Sequence, residues 1–524
     1  MKMASNASNL GEARRRIAAA YDPDALEAAG GRLISVLADH LRRVEARDAP
    51  VLNWADPEAL IGKAASFLRD GPIGAACASA SGEKALAEPV APDVETIANG
   101  VAHLAGEALA RGHNLHHPRY VGHQVPASVP LAALFDMVGT TTNQVMAIYE
   151  MGPWATAVER AVVTAVGEQL GFAPSSFAGL VTSGGSLANL TALLTARNVA
   201  LQDAWANGLS GRRPAPVIVV NSDSHYCVTR SAGILGIGTQ NLVRAALDER
   251  RRIDANRLDE TLADLRARGV PIIAAVAASG ATPTGACDRL ADIADVCRRH
   301  DVWLHVDAAH GGALAFSPRH RHLVAGIEQC DSVVCDAHKM MFMPALCAFV
   351  FYRNRANRLA TFQQDAPYLF DPAAAHLTEY DSGIVNLECT KRAAAFGLWG
   401  VWSIFGPQLF ADLIDVTIDL AQQFHGILEA ADDFETLHEP ECNIVAFRHV
   451  PRELRDAPPA QIDALQARLR RAVVESGRFF LTQTRLDGRC VLRTTLINPL
   501  TTVDDLRALL DCLREMARTG GTAR

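Results

Sequence analysis

The chain is 524 residues long, with 58 acidic against 50 basic side chains and a formal charge of −8. No Lys/Arg run exceeds a triplet such as Arg14-Arg15-Arg16, so the clustered positive surface that nucleic-acid binding needs is missing. Hydrophobic residues at 49% and charged residues at 21% supply a sizeable core and exclude wholesale disorder.

At ~100–200 residues per domain the length predicts about three units. The basic triplet near the start is followed only by Ile17-Ala18-Ala19-Ala20, too short for the apolar core of a signal peptide, and no stretch offers ~20 uninterrupted apolar residues. No membrane association is therefore expected. The eleven cysteines are scattered, without a CxxC pair or a Cys/His cluster, so neither a disulfide framework nor a metal site is expected and a reducing cytoplasm is the expected location.

Residues 1–110 carry apolar side chains at helical spacing around Leu26–Val44 and Pro92–Ala110 and read as a helical N-terminal segment. Residues 111–404 change pattern. Short apolar runs at Val217–Val220, Ile272–Ala278, Val302–Val306, Ser332–Cys335 and Ala348–Tyr352 alternate with helical stretches such as Asp254–Arg268 and Leu290–Arg299. That alternation predicts an α/β fold with a mainly parallel central sheet covered on both faces. Residues 405–524 read as a small α+β domain, with helices at Phe410–Ala430 and Pro459–Ser476 and strands at Arg478–Gln483 and Cys490–Ile497.

The chemistry concentrates in the middle zone. Leu180-Val181-Thr182-Ser183-Gly184-Gly185-Ser186 leads into the helical run Leu190–Val199, and backbone amides at such a helix start suit a phosphate. His225 follows the strand Val217–Val220, where a ring can stack on a planar cofactor. Asp307 ends the strand Val302–Val306, at the edge of the sheet where α/β folds bind ligands, and a buried carboxylate there calls for a cation such as a protonated pyridine. Asp336-Ala337-His338-Lys339 follows the strand Ser332–Cys335 and precedes Met340-Met341-Phe342-Met343. Desolvation there should lower the lysine's pKa and leave a nucleophilic amine for Schiff-base chemistry. Each piece also has a plain structural reading: a capped helix, a hydrogen-bonded His, a capping Asp, a snorkelling Lys. Together, in that chain order, they specify pyridoxal phosphate.

From about Asn114 to Leu510 the sequence resembles the pyridoxal-phosphate-dependent amino-acid decarboxylases of the glutamate, aromatic-amino-acid and diaminobutyrate group, most firmly at Asp307-Ala308-Ala309 and His338-Lys339. The resemblance implies the aspartate-aminotransferase-like fold (fold type I) with a small C-terminal domain, and a homodimer with shared active sites whose helical N-terminal segment packs on the partner. It implies pyridoxal 5′-phosphate held as an aldimine on Lys339, with Asp307 on the pyridinium proton and His225 over the ring. Gly185 and Ser186 would bind the phosphate with His338 and Asp336 beside it, and Ala309 would pack beneath the ring. Tyr368, 29 residues after Lys339, is similar to the family's mobile-loop tyrosine, which protonates Cα after carbon dioxide leaves. Relatives that make aldehydes instead carry Phe there.

For the substrate, His116–Gln124 resembles the family's N-terminal wall of the site. His123 and Gln124 suggest a polar side chain, and Arg493 aligns with an arginine that binds the distal carboxylate in glutamate decarboxylases. Glu388-Cys389-Thr390-Lys391-Arg392 departs from the Gly-Arg pair of relatives. The expected activity is decarboxylation of an aliphatic amino acid with a polar or acidic side chain, such as glutamate, aspartate or 2,4-diaminobutyrate. The alternatives are an aldehyde synthase or an aromatic-amino-acid decarboxylase.

Overall fold

The Val/Ile/Ala runs read as buried strands come together in one seven-stranded sheet, seen in a computed structural model that describes residues 2–69, 91–362 and 378–519. Its strands are β1 (Ala178–Thr182), β2 (Val217–Asn221), β3 (Leu242–Ala245), β4 (Ile272–Ala278), β5 (Leu304–Asp307), β6 (Ser332–Asp336) and β7 (Ala348–Tyr352), in the order β1-β7-β6-β5-β4-β2-β3. β6, β5, β4, β2 and β3 pair in parallel, whereas β7 is antiparallel to both β6 and β1. β1 to β6 therefore all point the same way, and their C-terminal ends share one edge. Every residue of β2, β4, β6 and β7 is buried, as expected of strands covered on both faces. The edge strands β1 and β3 were not expected from the sequence; each is short and lacks a long apolar run.

The chain divides into two compact units. Within the described residues, one comprises those up to Tyr120 together with Arg471–Phe480 and those from Leu509 onward; the other comprises Val121–Arg470 and Leu481–Ala508. The sequence zones 1–110, 111–404 and 405–524 are thus regrouped, because the C-terminal strands bond into the central part. Thr495 donates its backbone N–H to the Val121 carbonyl (2.9 Å), and Arg493 donates to the Thr282 carbonyl (2.7 Å).

In the first unit the helices Pro23–Glu45 and Val94–Arg111 start at Asp22 and Asp93, whose side chains accept from the Asp24 N–H (3.0 Å) and the Thr96 N–H (2.8 Å). Arg32 ties the two helices together through Glu95 (2.6 Å). A small apolar cluster of Val51, Tyr120, Val474 and Phe480, with the Tyr120 and Phe480 rings 5.6 Å apart, completes this unit's packing.

The second unit also holds a four-stranded antiparallel sheet of β8 (Phe434–Thr436), β9 (Ile444–His449), β10 (Thr482–Leu486) and β11 (Arg489–Thr495), in the order β8-β9-β11-β10. The strand expected at Arg478–Gln483 begins instead at Thr482. Asp487 and Gly488 (φ 50° and 79°) form a two-residue turn that pairs Leu486 with Arg489, and that turn sets the register.

One buried ion pair fastens the region beside the future site. Lys391 Nζ donates to both Glu159 carboxylate oxygens (2.6 and 2.8 Å) and to the Val181 carbonyl (2.6 Å). Removing one partner would strand a buried charge. Lys391→Ala is expected to lower the unfolding free energy by about 3–5 kcal/mol in urea melts, and a Lys391→Met/Glu159→Leu double variant to recover most of it. A single-variant loss within about 1 kcal/mol would contradict this.

Candidate active site

Five strand ends supply the walls of one cavity of about 330 Å³ at the C-terminal edge of the sheet. β1 runs into Ser183-Gly184 and the helix Gly185–Ala200; β2 leads to His225; β4 leads to Gly280-Ala281-Thr282; β5 ends in Asp307; and β6 ends in Asp336, three residues before Lys339. Of the residues expected from sequence, Lys339, Asp307, His225, Ala309, Gly185, Ser186, His338, Asp336 and Gln124 all line this cavity. His123 and Arg493 are not among its lining residues: His123 is exposed, and Arg493 is buried in β11. Tyr368 lies outside the described residues.

The phosphate-loop geometry follows from two glycines. Gly184 sits at φ 113°, a backbone conformation that side-chain-bearing residues rarely adopt. A Cβ on Gly185 would lie 2.6 Å from Asp336 Oδ2. Gly185→Ala is therefore expected to displace the carboxylate or the loop at a strain of about 1–3 kcal/mol. In apoprotein titrations that corresponds to a roughly tenfold or greater loss of pyridoxal phosphate affinity; unchanged affinity would show that the cofactor does not use this loop.

A one-way hydrogen-bond chain holds the start of that helix. Trp303 Nε1–H donates to Ser332 Oγ (2.9 Å), and Ser332 donates to His305 Nδ1 (2.8 Å). His305 Nε2–H then donates to Asn189 Oδ1 (2.9 Å), and Asn189 Nδ2 donates to the Gly185 carbonyl (2.9 Å). Burial pushes the His305 imidazole down to about 4, so it works as a neutral relay. Neither His305 nor Asn189 was singled out from sequence. Their only signal there is position: one lies two residues before Asp307 on β5, and the other lies one helical turn beyond Gly185.

Lys339 departs from the sequence expectation. Burial pulls its ammonium pKa down, but Asp336, with Oδ2 3.3 Å from Nζ, and Asp307 outweigh that and hold it above the usual lysine range. Lys339 is thus an ion-paired ammonium, not a desolvated free amine, because two acidic strand ends converge on it. His338 Nδ1 lies 3.2 Å from the Cys347 N–H and 2.8 Å from the Cys347 carbonyl, and Nε2 is turned toward Asp336 (3.5 Å). His225 accepts from the Cys227 N–H (3.3 Å), capping the helix Tyr226–Ile234. Burial lowers its pKa against the pull of Asp307. Asp307 Oδ1 accepts the Ala309 N–H (3.2 Å).

His310 was not singled out from sequence, yet it lines the cavity and is only 2% exposed. Asn443 donates to the Leu496 carbonyl (3.1 Å), so its Oδ1 accepts from His310 Nε2–H (2.7 Å). Burial pushes the ring down to about 3, and its Nδ1 has no hydrogen-bond partner among the described residues. Gln124 Nε2 and Asp336 Oδ1 are buried and unpartnered in the same way.

The unpartnered Asp336 Oδ1, the lysine beside that carboxyl group and a glycine-lined helix start fit a phosphate-bearing pyridine aldehyde. Comparison with known proteins agrees. The model of the pyridoxal-dependent decarboxylase conserved domain matches residues 86–450. An L-2,4-diaminobutyrate decarboxylase of Rhizobium meliloti (strain 1021) is 33% identical over 432 residues, 82% of this chain and 83% of that protein. An aromatic-L-amino-acid decarboxylase of Bacillus atrophaeus is 29% identical over 401 residues, 76% of this chain and 81% of that one. The crystal structure of mouse CSAD, 26% identical, superposes with a TM-score of 0.81 over 94% of this chain and 99% of that chain. A family match over most of the length, on a fold shared end to end, leaves one conclusion: the chain belongs to the pyridoxal-dependent decarboxylase family and is an amino-acid decarboxylase that works with pyridoxal 5′-phosphate.

Proposed function

We propose that this decarboxylase acts on an L-amino acid with a short aliphatic side chain bearing a polar or acidic group, such as 2,4-diaminobutyrate, glutamate or aspartate, and releases the amine and carbon dioxide. The carrying observation is the cavity wall. No Phe, Tyr or Trp is found among its described lining residues, whereas Gln124 and His310 offer hydrogen-bonding atoms that no group among the described residues uses. An indole or phenol is best held by aromatic and apolar walls. A polar side chain is favoured where buried polar atoms would otherwise stay unpaired.

In this reading Lys339 binds the cofactor's carbonyl carbon, Asp307 holds a proton on its ring nitrogen, and His225 and Ala309 flank the ring. The backbone of Gly184, Gly185 and Ser186 receives the phosphate beside His338 and Asp336. When bound, pyridoxal phosphate supplies an electron sink for the pair left behind by carbon dioxide. Tyr368 delivers the proton to Cα. Gln124 and His310 bind the substrate side chain. Arg493 shapes the wall from behind by holding the Thr282 carbonyl. The enzyme is a homodimer: the helix Pro23–Glu45 exposes Leu26, Ile34 and Leu37, an apolar face suited to a second copy. The ten described cysteines, all free and nine of them buried, suit a reducing cytoplasm.

The test is product identification across a panel of amino acids, with carbon dioxide, ammonia and hydrogen peroxide measured together. We expect amine and carbon dioxide in equal amounts, with kcat/KM for the best short polar substrate about 10²-fold above that for tyrosine or Dopa. A preference for aromatic substrates would overturn the substrate class. Stoichiometric ammonia and peroxide would overturn simple decarboxylation in favour of an aldehyde synthase.

A further inference from the structure

The phosphate loop carries a charge conflict. Asp336 is 2% exposed and lies against the first residue of the helix Gly185–Ala200, so close that a Gly185 Cβ would lie 2.6 Å from Oδ2 and 2.9 Å from Oδ1. A helix start is where backbone N–H groups and the helix dipole attract an anion, and here a carboxyl group borders that position. Glu388 adds a second acid, accepting from Ser183 Oγ at 2.7 Å. Lys339 is the only Lys or Arg among the described residues lining the cavity. A doubly charged phosphate placed here has no arginine clamp among the described residues and meets a buried acid at close range.

An ionised carboxylate has about four lone-pair positions to satisfy. Asp336 Oδ2 faces Lys339 Nζ (3.3 Å) and His338 Nε2 (3.5 Å), whereas Oδ1 has no hydrogen-bond partner among the described residues. A carboxylic acid needs only one acceptor for its O–H, and a phosphate oxygen is one. We infer that Asp336 is protonated when the cofactor is bound and donates a hydrogen bond through Oδ1 to its phosphate, so that loading the enzyme takes up a proton at this residue. The inference rests on the phosphate position proposed above.

The groups facing Asp336 set the balance. Lys339 and His338 from its own turn favour the ionised form, and Asp307 at the end of β5 favours the acid. His225, at the start of the helix Tyr226–Ile234, has a pKa held low by burial and adds little positive charge. Burial already raises the Asp336 carboxyl above the ordinary range, and an arriving phosphate dianion pushes in the same direction.

Apoprotein titrated with pyridoxal phosphate and with pyridoxal, from pH 6.5 to 8.5, tests this. Asp336→Asn keeps a donor but has no proton to lose. We expect the wild-type to variant ratio of apparent Kd to rise by up to about tenfold per pH unit for pyridoxal phosphate and to stay flat for pyridoxal. Calorimetry in buffers of different ionisation enthalpy should show the wild type taking up about one more proton with pyridoxal phosphate than with pyridoxal. That measurement needs no variant. A pH-independent ratio, a ratio that moves equally for both ligands, or no extra proton taken up by the wild type overturns the inference and leaves the phosphate position intact. Pyridoxal phosphate bound no more tightly than pyridoxal would overturn that position, and this inference with it.

Discussion

Lys339→Ala is expected to abolish the visible absorbance of the lysine-bound cofactor and to lower turnover by roughly 10⁴-fold or more, the scale on which deleting a covalent catalytic group acts. The size follows from what Lys339 touches. It is ion-paired to Asp336 at 3.3 Å, it lines the cavity with Asp307 and His225, and no other Lys or Arg among the described residues does so. Because Asp336 and Asp307 hold the ammonium above its usual pKa, attachment of the cofactor should also speed up as pH rises toward that pKa and more free amine forms. Stopped-flow absorbance with wild-type apoprotein reads that rise directly. A Lys339→Ala protein that still showed the lysine-bound spectrum, or turned over within tenfold of wild type, would sink the assignment.

Asp307→Asn is the second large effect, expected at about 10²–10³-fold in kcat, typical of removing one preorganised electrostatic partner from the reacting centre. Asn keeps the shape and the acceptor that receives the Ala309 N–H at 3.2 Å, so the turn after β5 should survive. What it loses is the negative charge that keeps a ring nitrogen protonated, and with it the electron sink. The expected pattern is a large loss in kcat, cofactor retention within several-fold, and a thermal midpoint near wild type. A kcat within fivefold of wild type would place the proton on some other group.

Much of this was legible from residue order. The strands β2, β4, β6 and β7 are continuous apolar runs, and a run buried on both faces can be recognised without knowing its neighbours. Asp307 ends such a run, and His225 and Lys339 come within a few residues of one, so the edge of the sheet they share was predictable along with the chemistry; Gly185 was legible only as part of a Gly/Ser turn before a helix. The short strands β1 and β3 were not legible, because their place depends on pairing with β7 and β2. The start of β10 was missed because it is set by the Asp487-Gly488 turn beyond it.

What the sequence determined by itself is the parts: a parallel α/β core, the cofactor class, and the lysine and aspartate that serve it, each carried by a local run of residues. Only the tertiary structure decided how those parts meet. Residues distant in the chain, such as Asn189 and His305 or His310 and Asn443, form single hydrogen-bonded units. The strand ends carrying Asp307 and Asp336 converge on Lys339 and raise a pKa that desolvation alone would lower. Hydrogen bonding and Coulomb interaction depend on distance in space, which the order of residues along the chain does not record.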